Sequence, residues 1–141
     1  MKQLLSSLVA CIFLWSCNPQ ESFQVKNTKA FEWVAGTERG GHGTNFEISL
    51  LAINDLENLE WGNMYYKQFE IPIDAPSIES MEKDEELLLK VRYYSNKHKP
   101  TSNVSGYLSE EIPAAITFYL NGELQVLPIT SIDYQPLESR P

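Results

Sequence analysis

Residues 31–53, FEWVAGTERGGHGTNFEISLLAI, decide how the rest of the chain is read. Phe31, Trp33 and Ala35 fall on one face of an extended segment, and Phe46, Ile48, Leu50 and Ala52 on one face of the next. Strand side chains alternate with period 2, so each run offers a single apolar stripe to a core. Aromatic and β-branched residues suit such a half-buried pleated surface. Gly36–Asn45 carries four glycines between the two runs. The plain reading is a hairpin connection, because glycine supplies the positive φ that tight turns use. The functional reading is a cradle for a ligand or partner, built from Arg39, Gly40, Gly41, His42, Gly43, Thr44 and Asn45. A phosphate loop would need a lysine and a following helix, and a strand follows here.

On the N-terminal side, residues 1–17 read as a secretory signal: Lys2, an apolar region, then a small residue and a cysteine. Leu14-Trp15-Ser16-Cys17 resembles the bacterial lipobox, in which the cysteine is acylated. Residues 1–16 are then the signal peptide and Cys17 carries the lipid. The apolar run is shorter than the ~20 residues of a membrane span, and several acyl chains anchor where one would be marginal. Cleavage discards Cys11, leaving no disulfide. It also removes Lys2, so ten basic residues face nineteen acidic ones and the formal net charge moves from −8 to −9. That balance disfavours nucleic acid and anionic lipid, which require a cationic footprint, and points to a basic protein partner. Residues 17–30 read as lipidated cysteine plus flexible tether.

On the C-terminal side, Leu59–Trp61 reads as a short strand, Gly62–Asn63 as a turn, and 64–73 as a strand with Tyr65, Phe69, Ile71 and Ile73 on one face. Residues 77–83 suggest one helical turn. Leu87, Leu89, Val91 and Tyr93 form the clearest apolar stripe. Ala114–Leu120 and Glu123–Ile129 flank Asn121-Gly122, the strongest short hairpin signal. With about seven short strands and no convincing helix, residues 31–134 predict one antiparallel β-sandwich of immunoglobulin size, with a small β-barrel as the alternative. Residues 135–141 read as a loose tail.

The chemistry-bearing residues are sparse. Only His42 and His98 could serve as imidazole bases, and no nucleophile-elbow pattern surrounds any serine. Two distant histidines do not make a zinc site. Glu82, Asp84, Glu85 and Glu86 lack the alternation and central glycine of a calcium loop. No catalytic residue, metal or cofactor is therefore expected. Tyr66, Tyr94 and Tyr119 lie opposite their strands' apolar stripes, where they would form an aromatic surface for a protein or sugar, or second faces of doubly buried strands.

Trp33-Val34-Ala35-Gly36 followed by Gly40-Gly41-His42-Gly43-Thr44-Asn45-Phe46 resembles small secreted or lipid-anchored β-rich proteins of Bacteroidota. Tyr119–Leu124 is similar to a later hairpin of theirs. The resemblance implies fold and compartment and brings no catalytic residues. The leading expectation is a non-enzymatic envelope lipoprotein on the periplasmic side of the outer membrane, cell-surface display being the alternative. It would bind another envelope protein through the glycine loop and nearby tyrosines. The competing expectations are an acidic inhibitor or immunity protein against a basic toxin or hydrolase, and a carbohydrate-active enzyme or glycan binder.

Overall fold

The structure, a computed structural model, describes residues 21–36, 41–95, 97–101, 104 and 106–140, the last four by backbone alone. Nine strands run in chain order among them: β1 (Phe23–Ala35), β2 (His42–Ala52), β3 (Leu56–Tyr66), β4 (Phe69–Pro72), β5 (Ile78–Met81), β6 (Glu86–Tyr94), β7 (Ala114–Leu120), β8 (Glu123–Ile129) and β9 (Asp133–Arg140). They form two packed sheets, ordered β6-β2-β1-β9 and β4-β3-β7-β8, with β5 also paired to β3. The fold is a β-sandwich, and neither sheet closes into a barrel.

The core lies between the sheets. Phe46, Ile48, Leu50, Leu89 and Val91 enter it from the first sheet, and Leu59, Met64, Ile71, Ile116, Phe118 and Ile129 from the second. Those from β2, β6 and β7 are the alternating apolar positions of their strands, which is why these three are legible in sequence. Across the layer, Phe23 meets Phe118 edge-on at 5.5 Å and Phe46 meets Tyr66 edge-on at 4.9 Å, geometries that favour aromatic quadrupoles. Asn121 and Gly122 take φ of 51° and 81°, the left-handed pair that a two-residue hairpin demands.

Several expectations are corrected. Residues 23–30 are not tether: they form the first half of β1, paired with Ser49–Ala52 and on through Phe46. Phe31, Trp33 and Ala35 are not the core stripe. Directly paired residues share a face, and it is Ala30 that pairs with Phe46, while Phe31 pairs with Asn45 and Trp33 with Gly43 on the outer face. Gly62–Asn63 is no turn; β3 runs through it with a bulge opposite Thr117. Asn63 N–H donates to Thr117 Oγ1 at 2.9 Å, and the same hydroxyl donates to Asn63 O at 3.2 Å. The extra residue shifts the phase, so Met64 and Tyr66 face inward, and the chain reverses instead at Lys67–Gln68, with Lys67 at φ 53°. Residues 78–81 are strand, not helix. Residues 135–140 are not loose: β9 carries them on from Asp133 and pairs in parallel with β1 from Lys29 to Ala35.

Candidate binding surfaces on the sandwich

Cys17, Arg39 and Gly40 lie outside the described residues. The rest of the glycine loop and strand entry is placed by the β1–β2 hairpin, which Ala35 N–H closes by donating to Gly41 O at 3.0 Å. Gly41 takes φ 67°. His42 is exposed, its backbone N–H donating to Ser95 Oγ at 2.9 Å. Thr44 is buried between the sheets, and Asn45 points to the outer face with its buried Oδ1 unpartnered. Gly43 sits in a tight slot: a Cβ there would lie 2.2 Å from Tyr93 O and 2.6 Å from Trp33 Cζ2. The glycine is thus needed for close approach of Trp33, whose ring lies across the strand and meets Tyr94 edge-on at 5.6 Å.

The three predicted surface tyrosines separate. Tyr66 is a core residue, 3% exposed, its hydroxyl 2.8 Å from that of Tyr134. Burial and that bond push its pKa up. Tyr94 is half-buried on the outer face of β6, and Tyr119 is 41% exposed on β7. They do not form one surface, because Tyr94 belongs to the first sheet and Tyr119 to the second.

Around Tyr94 the chain builds a corner that sequence spacing alone does not bring together. Lys90, Arg92 and Tyr94 alternate along the outer face of β6, the free edge of its sheet. The following turn returns His98 onto the strand end: Tyr94 N–H donates to His98 Nδ1 at 3.0 Å, and His98 N–H donates to Tyr94 O at 3.0 Å. Lys97 Nζ lies 5.2 Å from the Tyr94 ring centroid, a cation–π distance. These residues, with Asp74 beyond β4, line a groove of about 470 Å³.

A second surface lies on the opposite flank. β9 covers the edge of β1 only from Lys29 onward, so from Phe23 to Thr28 that edge has no strand partner among the described residues. β8 is the edge strand of the other sheet. Between the two edges runs a groove of about 670 Å³, lined by Val25, Phe118, Leu124, Val126 and Leu127 among others. Leu124 and Val126 are 50% and 49% exposed, and Leu124 pairs across the hairpin with Tyr119. The exposed faces of these residues make an apolar strip beside the groove. Its signal in the sequence was available: Leu124 and Val126 break the inward phase set by Leu127 and Ile129 only by parity.

Elsewhere, Tyr65 stacks on Tyr107 at 4.1 Å and donates to Glu70 Oε1 at 3.1 Å. Burial, then the Glu70 carboxylate, push its pKa up to about 12. Among the described residues no three His, Cys, Asp or Glu side chains gather as metal ligands, and no helix is long and apolar enough to cross a membrane. Compared with known families and with curated proteins, the chain matches neither a family model nor a characterised sequence.

Proposed function

We propose that this chain is a non-enzymatic envelope protein, anchored by lipid at Cys17, that binds a protein partner along the β1–β8 groove. The observation that carries the reading is the meeting, across one apolar groove, of two strand edges that have no strand partner among the described residues. Such edges present unsatisfied N–H and C=O groups, and a free edge is normally blunted by charge. Here the open β1 edge carries Lys26, tied to Glu86, whereas beyond Glu123 the large exposed side chains of β8 are Leu124 and Val126, with Tyr119 beside them on β7. An extended segment added to either edge would gain backbone hydrogen bonds, with alternate side chains seated against the apolar lining. Pro128 lies at the far end of β8 and limits the register there, since proline donates nothing to a ladder. The glycine loop, in this reading, serves Trp33 and the hairpin and not the partner.

The anchor is supported by the lipobox-like sequence of residues 14–17, and β1 beginning at Phe23 would give it a geometric consequence. Six residue steps from Cys17 span ~20 Å at most, so the groove, which starts at Glu21, would lie close to the bilayer. A partner in the same membrane would reach it easily.

The test is in-cell crosslinking of the full chain followed by affinity capture, with wild type, Leu124→Lys/Val126→Lys and Gly41→Arg compared. One partner retained in Gly41→Arg and lost in the double lysine variant is the expected result. Capture that survives the lysines, or depends on Gly41 instead, overturns the assignment to this groove.

A further inference from the structure

We infer that the groove between β6 and Asp74, on the opposite flank from the proposed protein-binding edge, is a site for an acidic sugar: a hydroxylated, sugar-sized molecule bearing carboxylate or sulfate. The distribution of charge carries this. The chain is strongly acidic, with nineteen Asp and Glu against eleven Lys and Arg, yet Lys90, Arg92 and Lys97 converge on one groove. The sole ion pair among the described residues joins Lys26 to Glu86, so among those residues none of these three cations is held in an ion pair. Glu47 stands across the strand from Lys90 but outside the lining, and Asp74 is the one carboxylate among the described residues that line the groove.

Shape and hydrogen bonding narrow the class. A volume of about 470 Å³ falls within the ~300–1,000 Å³ of small-molecule sites and far exceeds a bare inorganic anion. Tyr94 forms an aromatic wall of the groove, with Trp33 meeting it edge-on, Lys97 over its ring and His98 stacked at 6.4 Å. His98 accepts the Tyr94 N–H at Nδ1, so a neutral ring carries its proton on Nε2 and presents a donor there. The guanidinium of Arg92 offers a planar fork matched to a carboxylate or sulfate. Asp74 accepts from hydroxyls and repels a second acid group. Cations for the acid, an imidazole donor and one carboxylate for hydroxyls, and an aromatic wall together describe an acidic sugar better than a nucleic acid, whose repeated phosphates would meet the net negative charge of the rest of the chain.

The experiment is calorimetric titration of the full chain in non-ionic detergent with a sulfated disaccharide, a uronate disaccharide, a neutral disaccharide of the same size and inorganic sulfate. At least one acidic disaccharide should bind about tenfold or more tightly than either the neutral sugar or sulfate. Arg92→Gln/Lys97→Gln should abolish that preference with an unchanged melting temperature. Asp74→Asn should leave or strengthen the affinity for the acid, because it removes a like charge. Equal binding of neutral and acidic sugars overturns the inference. So do sulfate binding as tight as the disaccharides, no binding of either acidic sugar, or full affinity in the double glutamine variant. None of these outcomes touches the β1–β8 groove, which the capture experiment tests separately.

Discussion

Gly43→Ala is the sharpest test of how the first sheet is packed. The glycine has no positive φ to protect, so the whole effect is steric. Its new methyl would stand 2.2 Å from Tyr93 O, 2.6 Å from Trp33 Cζ2 and 2.8 Å from Trp33 Cε2. Relieving those overlaps requires the β2–β6 pairing at Gly43–Tyr94 to open or the indole to leave its slot. Overpacking of this kind costs ~1–3 kcal/mol, and the backbone contact places this site at the upper end. For a domain of this size each kcal/mol moves the melting temperature by ~3–6 °C, so a fall of ~10 °C is expected by thermal unfolding. Gly106→Ala is the matched control, since nothing lies within 4 Å of its Cβ position. Trp33→Ala in the Gly43→Ala background should restore only part of the loss, because Tyr93 O remains in the way. Gly43→Ala melting within a degree of wild type would refute the steric account. Complete rescue by Trp33→Ala would show that the indole alone decides it.

Other outcomes follow from particular contacts. Thr117→Val removes the hydroxyl that bridges both backbone groups of Asn63 and should cost ~1–3 kcal/mol in chemical denaturation, with Thr117→Ser close to wild type; an unchanged midpoint in the valine variant would mean the bulge holds without it. Gly62→Ala should do comparable damage, its Cβ falling 2.6 Å from Thr117 Oγ1. Alkaline pH should unfold the protein. Tyr65 titrates near 12 when folded and near 10 when unfolded, so the stability is intact below pH 10 and is lost as pH rises from 10 through 12. The slope from this one group reaches ~1.4 kcal/mol per pH unit, and Tyr65→Phe should flatten it. Tyr134→Phe, which removes one partner of the buried Tyr66 hydroxyl, should lower stability by ~1 kcal/mol, as read from the shift in urea midpoint.

The parts of the fold that local chemistry determines were legible. Alternation marked β2, β6 and β7, and Asn121-Gly122 marked the β7–β8 turn, because side-chain period and left-handed φ are properties of a few adjacent residues. So the sequence by itself determined an all-β chain, its main core stripes and its charge. What only the tertiary structure decided depends on distant partners. The phase of β1 is set by Ala30 meeting Phe46, although Phe31 and Trp33 are the more apolar pair. Tyr66 faces the core, where period 2 predicts surface, because a bulge held by Thr117, 54 residues away, inserts one residue into β3. β9 runs on to Arg140 because the open edge of β1 accepts it in parallel, and beyond Tyr134 its polar sequence shows no apolar alternation. Likewise Lys90 and Arg92 read as one strand's solvent face. They face a groove with Lys97, His98 and Asp74 only because the chain turns back at Tyr94 and β4 packs alongside. Charge convergence of that kind is set by non-local packing, to which sequence periodicity is blind.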